Sequence, residues 1–416
     1  MNTLTDFRKI ASTEGLDLYA HGDYKPDLVA ESILLNFPSG EKNPAQACQS
    51  IAFGWRNLVR KMPGAWSVVL VDKKSNMAYI ITDFLGRDQV YYTDPVLHME
   101  FKSRVSKCSP NLGPDKPNEL YFGSVQKFGY HTGEETWKQG VYRALPQKVT
   151  ILDTKMGVMT FSLMDLPSSQ DDGSLRARVE AAFWRNLPKD LKSLTVLLSG
   201  GLDSSIMACL AWHAKKVGDL DGVDLRFITT SNGDDVAYAA QLANEKGFKL
   251  DVLKLAEADD PMLVAALQAA DSPIDLGSLV PNFQLIGRAP TRCILTGDGP
   301  DELFGGYTRT HEYDSQQSDV FQELTYYHLP KLNQTAEVLG KSLICPYLDY
   351  SVVSYALSLP KEERTDKKAL KEAFQDLVPG YILDRPKLPL KSKPVLEDKL
   401  AHRKHCIDLF RKTRKI

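Results

Sequence analysis

Two short segments carry the residue types that handle phosphate and divalent metal. The first is residues 199–205, Ser-Gly-Gly-Leu-Asp-Ser-Ser. Adjacent glycines, Gly200 and Gly201, let backbone N–H groups approach an anion with no Cβ in the way. Ser199 and Ser204 add hydroxyls, and Asp203 adds the hard carboxylate oxygen that magnesium prefers. The lysine of the common G-x-x-x-x-G-K-[ST] nucleotide loop is missing, so this would be a phosphate loop of another kind. The competing reading is an ordinary glycine-containing turn between a strand and a helix. The second segment, 293–307 (CILTGDGPDELFGGY), sets Asp298, Asp301 and Glu302 in and just after one loop. Carboxylates so close together are costly unless a cation lies between them. The competing reading there is a solvated acidic loop.

The elements around these loops decide whether they can meet. Residues 195–198 (TVLL) form a short apolar run of strand type, and 204–216 continue as a helix that Gly218 can end. A helix N-terminus with unpaired N–H donors attracts a phosphate. Strand 225–229, helix 235–246, strand 249–255 and strand 293–295 follow. This alternation predicts an α/β fold, a doubly wound parallel sheet covered by helices on both faces. Ligands of such sheets lie at the carboxyl ends of the strands. Both loops leave such ends and should open on the same edge.

Upstream, the chain to about residue 166 reads as mostly β structure. Strands are expected at 65–72 and 77–82 around a 73–76 turn, then at 90–92, 149–152 and 158–163, with a helix at 48–60. Residues 167–174 (PSSQDDGS) have the composition of a linker, so two domains are expected, 1–166 and 174–416, the second opening with a helix at 175–187. A chain of 416 residues with net charge -2 has no overall pull toward nucleic acid or an acidic membrane. No stretch approaches the roughly twenty apolar residues of a membrane span, and the first residues have no apolar leader. The six scattered cysteines form no C-x-x-C pair, which argues against a zinc site or a disulfide framework and for a reducing cytoplasm. The basic stretch from Leu400 onward is best explained as a solvated terminal helix, ahead of a nucleic-acid or carrier-protein contact.

With both loops read, the chain resembles the asparagine synthetase and β-lactam synthetase family. LLSGGLDSS is similar to that family's pyrophosphate loop, and TGDGPDELFGGY to its second signature, usually SGEGSDELFGGY. Asp271-Ser272-Pro273, Cys345-Pro346-Tyr347-Leu348-Asp349 and Arg385-Pro386-Lys387 resemble further landmarks in the expected order. Residues 63–92 resemble the family's N-terminal-nucleophile (Ntn) glutaminase sheet. The resemblance implies an Ntn-like α+β domain ahead of the synthetase domain. It also implies ATP as cosubstrate with Mg2+, and an acyl-adenylate formed with release of pyrophosphate and then taken by an amine. Ser199, Gly200, Gly201, Asp203 and Ser204 would hold pyrophosphate, with Asp203 and Asp301 the metal ligands. Leu198, Thr229, Thr296 and Gly297 would line the nucleotide pocket. Lys387 would neutralise phosphate charge, and Asp298 would orient or deprotonate the amine. The implied partners are a small-molecule or peptide carboxylate and an amine; a homodimer stays open, and no membrane is involved.

The departures bear on substrate choice. Asp298 stands where asparagine synthetase has glutamate and β-lactam synthetase has tyrosine, and Ser342 and Ile344 replace a glutamate-and-arginine pair. A glutaminase of this family needs cysteine as its first mature residue. Here Met1 precedes Asn2, and the earliest cysteine, Cys48, falls in the expected helix. The expectation is therefore a degenerate glutaminase-like domain attached to a ligase that releases no ammonia of its own. An ammonia-dependent asparagine synthetase served by a separate glutaminase, and a non-catalytic nucleotide-binding homologue, are the alternatives.

Overall fold

The computed structural model describes residues 6–22, 24–35, 37–97, 99–109, 115–163, 173–231, 235–307, 322–385 and 398–416. In the first part, β1 (Arg8–Thr13), β2 (Leu16–Gly22), β3 (Trp66–Asp72), β4 (Met77–Thr82), β8 (Lys148–Asp153) and β9 (Gly157–Ser162) form one antiparallel sheet in that order. β5 (Tyr91–Thr93), β6 (Phe101–Lys102) and β7 (Val141–Arg143) form a small sheet beside it. Every residue of β3 and β4 is buried, because the larger sheet is covered on both faces. Side chains alternate across a strand. Val68 and Leu70 therefore meet Ile51, Trp55 and Leu58 of a helix, while Val69 and Val71 meet Val90, Tyr92 and Phe101. That helix is Pro44–Lys61, longer at both ends than the expected 48–60, because Asn43 caps it and Pro44 suits its first turn.

The second part is built on five parallel strands in the order β12-β11-β10-β13-β14. These are β10 (Ser193–Leu197), β11 (Asp224–Thr230), β12 (Leu250–Leu253), β13 (Cys293–Leu295) and β14 (Ser342–Ile344). Phe227 turns to one face, against the helices Leu202–Lys216 and Asp235–Lys246. Its neighbour Ile228 turns to the other, against Leu276–Arg288 and Leu329–Val338. The doubly wound sheet read from the alternation is present. Several boundaries differ by one to a few residues. The expected strand 195–198 ends one residue early, strand 249–255 is reduced to four residues, and the helix placed at 204–216 begins at Leu202. That last difference has a local cause. Gly200, at φ +77°, makes the turn, so Gly201 is already the cap and no polar capping side chain is used.

Most of the stretch read as a linker lies outside the described residues, but Ser174 at its end caps the helix Leu175–Asn186 by accepting from the Ala177 N–H. The two parts share one core, in which Phe84 meets the Tyr350 ring edge-on at 5.3 Å. The basic stretch is not a solvated helix. The helix Lys399–Arg414 buries Cys406, Ile407 and Phe410 against Phe122 and Trp137 of the first part and against the helix Asp260–Ala270 of the second. Its arginines are spent on internal contacts. Arg414 pairs with the fully buried Asp271 carboxylate at 2.5 Å, Arg411 with Glu119 at 2.7 Å, and Arg403 donates to the Lys127 carbonyl at 2.7 Å.

Candidate active site

β10 and β13 are adjacent and parallel, with Thr195 opposite Ile294 and Val196 opposite Leu295, so the two loops leave the same sheet edge side by side. They touch. A Cβ on Gly297 would stand 2.7 Å from the Ser204 nitrogen, closer than any side chain tolerates, so glycine is what lets the second loop rest on the first helical turn. Gly200 is similarly confined, since a Cβ there would lie 2.7 Å from the Asp235 carbonyl oxygen. Within the first loop, Ser204 Oγ accepts from the Ser199 N–H at 3.1 Å and lies 2.9 Å from Ser199 Oγ, while Gly201 N–H donates to Ser199 Oγ at 3.3 Å. These bonds hold a tight anion-sized turn at the amino end of a long helix.

Leu198, Thr229 and Thr296 are buried at the strand ends, and Gly297 is half-buried above them. Thr296 Oγ1 lies 3.2 Å from Cys345 Sγ, which ties the second loop to the start of the CPYLD segment. Tyr347 of that segment donates to the Asp203 carbonyl at 3.1 Å.

The main charged feature is a bridge that sequence reasoning missed. Lys367 Nζ lies 2.5 Å from Asp203 Oδ2 and 2.6 Å from Asp301 Oδ1, and all three side chains are close to fully buried. Burial opposes the Lys367 charge, but the two carboxylates more than offset it and hold its pKa above the usual lysine value. Lys367 reaches this position because Asp366 and Lys367 both take left-handed backbone angles, φ +53° and +58°. The glycine pair of the signature makes room: a Cβ on Gly306 would overlap both the Asp301 carboxylate and the Lys367 side chain. Gly305 and Phe304 carbonyls accept from the Asp366 and Lys367 N–H groups.

The three acidic residues of the second loop do not converge as expected. Asp301 joins Asp203 across Lys367, but Glu302 turns aside, accepting from Tyr307 Oη at 2.9 Å with His328 Nε2 at 3.5 Å. Burial raises the Glu302 carboxyl above the usual range. Asp298 is half-buried, and its charge reaches the buried Lys331, whose ammonium donates to Ser278 Oγ at 3.0 Å and lies over the Tyr327 ring. Burial lowers the Lys331 pKa against the pull of Asp275, Asp298, Glu302 and Glu323. Lys387 lies outside the described residues. The last described residue before it, Arg385, pairs with Asp235, whose carbonyl also abuts Gly200.

Asp203 and Asp301 offer hard oxygen donors, and magnesium is usually held by one or two carboxylates with the remaining positions left to phosphate and water. The pair fits that ion, with the Lys367 ammonium as the cation now shared between them. Among the described residues no group of three or more His, Cys, Asp or Glu is placed to hold a metal.

A family model described as Asparagine synthase matches residues 174–343 and 315–415, more than half of the chain. The putative asparagine synthetase [glutamine-hydrolyzing] 1 of Methanocaldococcus jannaschii is 31% identical over 329 residues, covering 73% of this chain and 57% of that protein. The asparagine synthetases [glutamine-hydrolyzing] of Gallus gallus and Homo sapiens are 27% and 28% identical over 255 and 235 residues. They cover 54% and 51% of this chain, and 44% and 42% of their own lengths. The chain thus spans about half the length of the curated relatives it matches.

Proposed function

The chain belongs to the asparagine synthase family, and from that premise we propose that it is an ATP-dependent ligase that joins a substrate carboxylate to an amine through an acyl-adenylate. The observation that carries this reading is the buried Asp203–Lys367–Asp301 bridge beneath two touching loops at one sheet edge. In the proposed reaction a carboxylate oxygen attacks the α-phosphorus of ATP and pyrophosphate leaves. The amine then attacks the acyl carbon and AMP leaves.

Each described residue has a role consistent with where it stands. Ser199, Gly200, Gly201 and Ser204 hold the departing pyrophosphate through hydroxyl and N–H groups at the helix amino end. Leu198, Thr229, Thr296 and Gly297 wall the nucleotide. Asp203 and Asp301 would hold Mg2+, which supplies positive charge to the phosphates when bound. Lys367 adds a permanent cation at the same place, and Lys387, by the family resemblance alone, would neutralise phosphate charge as the acyl-adenylate forms and as the amide is made. Asp298, half-buried in the second loop, orients or deprotonates the attacking amine.

The chain's own cysteines support an amine that is not made by hydrolysing glutamine here. Cys48 is buried in the Pro44–Lys61 helix, and burial pushes its thiol up to about 12, away from the thiolate a nucleophile needs. Cys209 and Cys406 are pushed up by burial to about 11.

The test is acid-dependent exchange of labelled pyrophosphate into ATP, screened over carboxylic acids, followed by a screen of amines against the best acid. Exchange that needs both an acid and magnesium supports the reading. ADP and phosphate as products would refute it.

A further inference from the structure

The two carboxylates assigned to magnesium are shared with a cation that the chain itself supplies. Lys367 Nζ lies 2.5 Å from Asp203 Oδ2 and 2.6 Å from Asp301 Oδ1. A lysine usually meets a carboxylate on a flexible four-carbon stem and can leave it as easily. This one is fixed from both ends. Its backbone N–H donates to the Phe304 carbonyl at 2.8 Å, the Asp366 N–H donates to the Gly305 carbonyl at 3.1 Å, and Lys367 as a whole is 6% exposed. Its stem runs against Gly306, where a Cβ would overlap both Lys367 Cε and the Asp301 carboxylate. On the other side, Tyr347 Oη donates to the Asp203 carbonyl at 3.1 Å and ties down the first turn of that helix. Ammonium and carboxylates therefore form one packed unit.

Magnesium lies about 2.1 Å from its oxygen ligands. An ion on either of the two shared oxygens would thus stand no further than about 4.7 Å from the Lys367 ammonium, on whichever side it lay. A double and a single positive charge that close, in a buried setting, repel strongly. Asp203 and Asp301 carry two negative charges, and Lys367 already balances one of them. A bare divalent ion would turn the group net positive. The phosphates of a nucleotide reverse that sum, because they bring enough negative charge for both cations to stay.

We propose that Lys367 is a metal-selectivity device, which keeps a bare divalent ion off Asp203 and Asp301 and admits one only as its complex with a polyphosphate. This rests on the ligase reading for the identity of the metal pair and goes beyond it in setting an order of events. Metal and nucleotide enter together, and the metal leaves with the pyrophosphate.

The test is Mn2+ binding to the full chain, followed by the electron paramagnetic resonance signal of the free ion, so that no turnover is needed. Mn2+ takes the same oxygen donors as magnesium. The unaltered protein should bind Mn2+ alone at least about tenfold more weakly than Lys367→Met, which keeps both carboxylates and loses the repelling charge. Adding Asp301→Asn to that variant should remove the gain and so tie it to this pair. With α,β-methylene-ATP present, the unaltered protein should retain more Mn2+ than the analogue does by itself. If Lys367→Met does not fold, the unaltered protein with and without the analogue still decides. Equal Mn2+ affinity in the unaltered protein and Lys367→Met, or Mn2+ held alone by the unaltered protein as tightly as with the analogue, would overturn the proposal. An analogue that fails to bind while the Mn2+ difference persists would instead count against the ligase reading and leave the exclusion of the bare ion in place.

Discussion

Replacing Lys367 by methionine keeps much of the side-chain volume and removes the charge that joins Asp203 to Asp301. Both carboxylates are 12% exposed and touch the same ammonium at 2.5 and 2.6 Å, so the variant leaves two poorly solvated negative charges facing one another. Removing one partner of a buried ion pair costs about 3–5 kcal/mol, and the second carboxylate puts this case toward the upper end. Denaturant unfolding at pH 7, followed by fluorescence of the five tryptophans, should show that loss. The deficit should shrink as pH falls toward the carboxylate range, because protonation removes the repulsion. In the unaltered protein the sign is opposite. The Lys367 pKa is raised in the fold, so its contribution is fully present below the unfolded value of 10.5 and is lost as pH climbs through the higher folded value. The variant should lack that alkaline loss. Millimolar magnesium should recover more stability in the variant than in the parent, since the vacated carboxylates are a magnesium donor pair. A variant as stable as the parent at pH 7, or one whose deficit is indifferent to pH, would refute the bridge as a buried charge device.

Three further outcomes are expected. Gly297→Ala forces a Cβ to within 2.7 Å of the Ser204 nitrogen, so the loops must part; overpacking of this kind costs about 1–3 kcal/mol, and ATP affinity measured by calorimetry should fall by at least about tenfold. His21 Nδ1 donates to the Asp88 carboxylate at 2.8 Å, and although burial opposes its charge, Asp88 raises its pKa to about 9. The stability it contributes, at most about 3 kcal/mol, is present below pH 6.5 and lost as pH rises through about 9, and His21→Gln should flatten stability across that window. Phe410→Ala empties a fully buried site against Phe122 and Trp137 and should cost about 3–5 kcal/mol in thermal unfolding; a neutral result would return the helix Lys399–Arg414 to the surface.

The parts of the site that could be read in advance are those carried by short-range spacing. Apolar strand, glycine turn and helix follow one another around Gly200 and again around Gly297, and parallel order then brings the two loops together. Lys367 could not be read that way. The segment RTDKKALKE looks like a charged, solvated helix start, and only two consecutive left-handed residues turn Lys367, the first of its paired lysines, inward. A signal was present in Gly305-Gly306, since paired glycines after a buried Asp301 announce a close approach by some other group. The stretch after Leu400 has a basic composition that masks the spacing of Cys406, Ile407 and Phe410, which puts three apolar groups on one helix face. The start of the Leu202–Lys216 helix differs because turn geometry at Gly200, which hydropathy does not encode, sets it.

The helix Lys399–Arg414 has a consequence for the order of assembly. It seals the aromatic cluster of Phe122 and Trp137, residues made some 270 positions before it, and clamps Asp271 from the same side. Contacts this distant in sequence form late, and domains emerging from the ribosome fold in the order they are made. A nascent chain that has finished both sheets therefore still shows an unsealed aromatic seam between them.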